Sequence, residues 1–138
     1  MKRTLVLDSA FSSAHLYQNK SFTDKDNEKI FGRCFSKYGH GHNYKIEVGF
    51  QIAATTQDTE LVTTEKSLKK KLLKLTDQLD FVHLNYVIPE FKNTVPTTEN
   101  ILLYFEDKLR ALKLKNKLVF IKLFETENLW SEKYYVTD

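Results

Sequence analysis

The sequence predicts an α+β domain built on a mainly antiparallel sheet. Three observations carry this. One run places apolar residues at every second position, two leucine-rich stretches repeat at helical spacing, and strands and helices cluster along the chain instead of alternating. The chain has 138 residues, of which 41% are hydrophobic and 28% charged. That suits a single domain over 1–138, with enough residues to bury a core, and argues against disorder.

Taken in order, Leu5 to Leu7 suits a first strand that extends toward His15. The polar segment from Gln18 to Lys29 reads as an insertion carrying one short helix from near Thr23 or Asp24. The clearest strand is Tyr44 to Ile52, with Tyr44, Ile46, Val48, Phe50 and Ile52 on one face and Lys45, Glu47, Gly49 and Gln51 on the other. A first long helix is read from Leu68, Leu72, Leu75 and Leu79, with Thr63 or Thr64 as its cap and Glu65 at the positive end of its dipole. A second repeats the pattern at Ile101, Phe105, Leu109 and Leu112, with Thr97 as N-cap and Glu99 in its first turn. Lys117 to Glu125 and Lys133 to Thr137 suit a closing pair of strands.

Charge excludes some functions. The 21 basic and 18 acidic residues leave a net charge of +3, too small and too interspersed for a nucleic-acid surface. The run Lys69 to Lys71 lies among helically spaced leucines and reads as a solvated helix face. No run approaches the roughly 20 apolar residues of a membrane span. The N-terminus lacks the apolar stretch of a signal peptide, so a cytoplasmic protein without a membrane partner is expected.

Two counts bear on chemistry. There is one cysteine, Cys34, and there are four histidines, His15, His40, His42 and His83. One cysteine excludes an intrachain disulfide and a zinc site made of several thiolates. His40 and His42 precede the apolar face of the Tyr44 strand, and on a strand their Cα atoms stand about 6.6–7 Å apart with both rings on one face. Such a pair can converge on one ion, and Gly39 and Gly41 leave room for close approach. His15 follows the first strand, where an antiparallel neighbour brings it beside the pair. Three imidazoles with an open position describe a catalytic zinc site. Read alone, an HxH pair at a strand start more often marks ordinary core or surface histidines than a metal site.

Four motifs in this order resemble the 6-pyruvoyl-tetrahydropterin synthases and the related 6-carboxytetrahydropterin synthases of queuosine biosynthesis. They are Phe11-Ser12-Ser13-Ala14-His15, Gly39-His40-Gly41-His42-Asn43-Tyr44-Lys45, Pro96-Thr97-Thr98-Glu99-Asn100 and Phe124-Glu125-Thr126. The resemblance implies a tunnelling fold: a four-stranded antiparallel sheet and two helices per subunit, joined into a trimeric barrel, with two trimers stacked as a homohexamer. It implies zinc at His15, His40 and His42, and a dihydropterin triphosphate, 7,8-dihydroneopterin triphosphate, as substrate. It places Glu125 as the anchor of the pterin ring and Thr97 and Thr98 near it. It also makes Cys34 the base that takes a side-chain proton as triphosphate is eliminated, with Arg33 and Lys37 as cations that favour a thiolate. From the residues alone, the preferred readings are a strand-end charge for Glu125, helix capping for Thr97 and Thr98, and an inert buried thiol for Cys34.

The match breaks at one place. The family's LDHxxLN segment reads Leu79-Asp80-Phe81-Val82-His83-Leu84-Asn85 here, so Phe81 stands where a catalytic histidine is expected. If the segment continues as a helix, Asp80 and His83 are i and i+3 and share a face, which lets His83 stand in. Otherwise His83 is a surface histidine, and the chain is a pterin-binding paralogue with impaired catalysis. The Glu60 to Glu65 stretch also departs from the family pattern. The spacing from Cys34 to His40 and the long insertion before Cys34 resemble the biopterin-type enzymes more than the queuosine type.

Overall fold

The computed structural model describes residues 2–137. Strand β1 runs from Lys2 to His15 and pairs antiparallel along its length with β2, His40–Ala53. Strand β4, Leu118–Thr126, pairs antiparallel with β2 and with β5, Leu129–Tyr134. A two-residue strand, β3, Val82–His83, lies parallel to β1 on its free side. Among the described residues the strands form one open five-stranded sheet in the order β3-β1-β2-β4-β5.

The period of two in β2 fixes which face is covered. Tyr44, Ile46, Val48, Phe50 and Ile52 are buried, as are Leu7 and Phe11 of β1 and Ile121 and Leu123 of β4. Helices α2, Asp58–Asp77, and α4, Thr98–Ala111, cover that face. Leu68, Leu72 and Leu75 point inward from α2, and Ile101, Phe105 and Leu109 from α4. Ser9 of β1 hydrogen-bonds Thr76 of α2 at 2.8 Å inside this core, so these two buried hydroxyls satisfy each other.

Several expectations are corrected. Among the described residues there are four helices where the resemblance implied two, and five strands where it implied four. One of the extra helices, α1, Asp24–Phe31, is the short helix read from the polar segment; the elements not foreseen are α3, Leu84–Val87, and the parallel β3. Helix α2 starts at Asp58, so neither Thr63 nor Thr64 caps it; its first turns are polar and carry no leucine period to betray them. The last strand is Leu129–Tyr134, earlier than Lys133–Thr137, because a tight turn at Glu127 and Asn128 returns the chain at once. Helix α1 begins where the polar segment indicated, with Thr23 Oγ1 accepting from Asp26 N at 3.2 Å. Thr97 caps α4 by accepting from Asn100 N at 3.1 Å.

The open sheet has a plain consequence for the histidines. Odd residues of β1 and even residues of β2 share the helix-covered face, and this alternation continues past the helices to the end of both strands. The polar ends of β1 and β2 therefore stand on a floor set by the core.

Candidate active site

His15 lies directly opposite His40 in the β1–β2 register, and His42 lies opposite Ser13. The three rings meet in a near-equilateral triangle, with centroids 4.9 Å (His15–His40), 5.0 Å (His15–His42) and 4.9 Å (His40–His42) apart. One nitrogen from each ring lies within 4.8 Å of the others. His15 is fully buried, and its Nε2 has no hydrogen-bond partner. A buried imidazole nitrogen left without a partner, aimed at two further imidazoles, is what a metal ligand looks like before the ion is in place. Burial, then the charges of His42, His40 and His83, lower His15 to about 3. It is therefore a neutral donor at physiological pH, which is the form that binds a metal.

Glu125 closes one side of this triangle. The β2–β4 register ends at Lys45 opposite Phe124, so the next residue along β4 stands beside Tyr44 and His42. The Glu125 carboxylate is 7% exposed and lies 3.6 Å from His42 Nε2 and 3.7 Å from His15 Nε2. The Tyr17 hydroxyl approaches it at 3.5 Å. A carboxylate buried in this way can accept two N–H bonds from a bound ligand.

Cys34 ends a single 3-10 turn, Gly32–Cys34, that follows α1. Its carbonyl accepts from Tyr17 N at 2.6 Å, which ties the turn to the residues just past His15. The thiol is half-buried. Burial raises its pKa, and the charge of Glu125 raises it further. The lowering expected from Arg33 and Lys37 is not found.

The Leu79–Asn85 segment behaves differently from the helix considered above. α2 ends at Asp77, Phe81 adopts a left-handed φ of +57°, and the chain enters β3. Asp80 and His83 therefore do not share a helical face. Asp80 instead accepts from Ser12 N at 2.8 Å, and Phe81 N donates to Ser12 O at 2.6 Å. The Phe81 side chain is 87% exposed. His83 Nε2 donates to the Tyr38 carbonyl at 3.0 Å, its ring packs on Tyr86 with centroids 4.3 Å apart, and its Nδ1 is buried without a partner. A groove of about 440 Å³ is lined by Ser12, Ala14, Gly41 and Asn43, on the sheet face opposite the helices, together with Phe81 and His83.

Thr97 and Thr98 sit at the start of α4, Thr98 buried and Thr97 capping. Among the described residues no hydrogen bond joins them to the histidines. Three residues that sequence reasoning did not single out complete the site. Tyr44 Oη lies 2.6 Å from His15 Nδ1. Tyr17 reaches Glu125. Asn85 accepts from Leu16 N and donates to Leu16 O, both at 2.9 Å, and so holds the chain immediately after His15. Tyr44 was visible as an apolar strand position and as a member of the Gly39–Lys45 motif, with no role of its own; Asn85 had its signal in the Leu84-Asn85 frame.

The profile of a family described as 6-pyruvoyl tetrahydropterin synthase matches residues 4–134. The chain belongs to this family. It is 37% identical over 131 residues to the 6-pyruvoyl tetrahydrobiopterin synthase of Dictyostelium discoideum, covering 93% of this chain and 94% of that one. It is 34% identical over 122 residues to the human protein of the same name, covering 86% and 82%. The structure of Caenorhabditis elegans 6-pyruvoyl tetrahydropterin synthase superposes with a TM-score of 0.87 at 28% identity, over 99% of this chain and 97% of that one. The family relationship and an enzyme of the pterin synthase type are thus established, and the three histidines form a site fit for a metal. Among the described residues no helix is long and apolar enough to cross a membrane.

Gly39 is the residue most exposed to a small change here. It has φ +76°, and a Cβ on it would collide with the His15 carbonyl and press on His83 Nε2. Gly39→Ala is expected to destabilise the fold by at least about 1–2 kcal/mol from the left-handed backbone alone, read as a lower urea midpoint. The collision is also expected to weaken any metal binding at the three histidines, because it pushes His15 off its register with His40.

Proposed function

We propose that this protein is a zinc-dependent synthase that eliminates triphosphate from 7,8-dihydroneopterin triphosphate to form a 6-pyruvoyl-tetrahydropterin-type product. The observation that carries the reading is the buried, partnerless Nε2 of His15 within a three-histidine triangle, with the Glu125 carboxylate beside it. His15, His40 and His42 would hold the ion. Bound there, zinc supplies a Lewis acid for the substrate's side-chain oxygens and a positive charge that favours a thiolate nearby.

The chain's own groups supply the rest. Glu125 orients the pterin by accepting two N–H bonds, and burial among rings makes that pairing stronger than at an open surface. Cys34 takes the side-chain proton, with the Tyr17 N–H fixing its turn relative to the site. Asp80 holds β1 through Ser12 N, and His83 lies near enough for its charge to act on His15. Thr97 and Thr98 would stand near the pterin. The open sheet, with half-exposed Leu129 and Trp130 on its β5 edge, supports closure of copies into a barrel and hence a hexamer of two trimers. A cytoplasmic setting fits the single free thiol.

Incubating the zinc-loaded protein with 7,8-dihydroneopterin triphosphate is expected to release triphosphate, and no release above a metal-free control would sink the reading. A second reading is favoured by Phe81, a side chain that carries no proton and lies in the open. It is a pterin-binding paralogue without turnover, and it expects tight pterin binding, no triphosphate and recovery of activity in Phe81→His. A carboxyl product, as in queuosine biosynthesis, would appear in the same assay by mass.

A further inference from the structure

We propose that Tyr44 is a positioning residue of the metal centre: its hydroxyl oxygen accepts from His15 Nδ1–H, which leaves Nε2 as the ring nitrogen offered to the ion. The inference rests on the three-histidine site proposed above and adds a residue that acts through one of its ligands. Tyr44 Oη and His15 Nδ1 are 2.6 Å apart, and both residues are buried.

A neutral imidazole carries one N–H, and the surroundings decide which nitrogen has it. If the proton were on Nε2, the nearest carboxylate oxygen, on Glu125, would be 3.7 Å away, beyond hydrogen-bonding distance. A buried N–H would then be left unpaired. With the proton on Nδ1, the short contact to Tyr44 is a full hydrogen bond, and Nε2 turns its lone pair to His40 and His42. The tyrosine is held for this task. Its ring stacks on Phe11 with centroids 5.0 Å apart and planes 8° from parallel.

Tyr44→Phe tests this. It keeps the ring, the burial and the stack on Phe11, and removes only the acceptor. Zinc affinity, measured by chelator competition, is expected to fall about 10–100-fold, and the visible d–d bands of the cobalt-substituted protein are expected to shift. A folded variant with zinc affinity within twofold of wild type and an unchanged cobalt spectrum would overturn the proposal. If the variant does not fold, nitrogen–proton correlation spectra of the metal-free wild-type imidazoles decide: His15 protonated at Nδ1 supports the proposal, and protonation at Nε2 refutes it. A wild-type protein that binds no zinc would refute the metal site itself, an outcome distinct from wild type and variant binding zinc equally.

Discussion

Replacing His15 by alanine is expected to abolish tight zinc binding, lowering affinity by well over the about 10–100-fold typical of losing a group that merely supports a ligand. Of the three imidazoles His15 is the one fully withdrawn from water, and its Nε2 has no partner among the protein groups. Its loss leaves two half-exposed imidazoles and the Glu125 carboxylate, a set with no buried imidazole. The variant also strands the Tyr44 hydroxyl, at a cost of about 1–3 kcal/mol, so urea unfolding should shift as well. His40→Ala separates the two effects. His40 is only half-buried and pairs with no side chain among the described hydrogen bonds, so zinc binding should fail with little loss of stability. Chelator competition and urea unfolding on both variants read the two quantities independently.

Cys34→Ala is expected to lower kcat by about 10²–10⁴-fold while leaving zinc affinity and the urea midpoint within error of wild type. The thiol is half-buried and is not among the three converging ligands. The tie that holds its turn is made by its backbone carbonyl, which alanine keeps. In the metal-free chain both burial and Glu125 push the thiol up. A proton-accepting role therefore depends on charge brought to the site, and the variant should matter only when zinc is bound. A kcat unchanged by the substitution would remove Cys34 from the chemistry.

Much of this was legible in the sequence because strand periodicity carries side-chain direction. His40 and His42 stand two apart ahead of Tyr44 and Ile46, so the face of the core residues is the face of the ligands. The pairing that puts His15 opposite His40 was foreseeable only as an antiparallel neighbour; the register itself depends on the long β1–β2 match. The behaviour of residues 80–83 was not legible. Asp80 and His83 read as one helical face, but Phe81 turns left-handed and Ser12 claims both Asp80 and the Phe81 N–H. That contact is tertiary, and no local preference announces it. Tyr44 was hidden for the opposite reason. Its ring behaves as core, and a single hydroxyl at its tip carries the polar role. The polar start of α2 and the early β5 were missed because neither carries an apolar period.

The central claim is that a metal at His15, His40 and His42 is required for elimination of triphosphate. The most direct measurement adds zinc stepwise to chelator-stripped protein and follows triphosphate release from 7,8-dihydroneopterin triphosphate. Release should rise in proportion to bound zinc and level off at about one ion per chain, the capacity of a single three-histidine site. Release that is indifferent to zinc, or a folded protein that holds one zinc per chain at these histidines and releases no triphosphate, would contradict it.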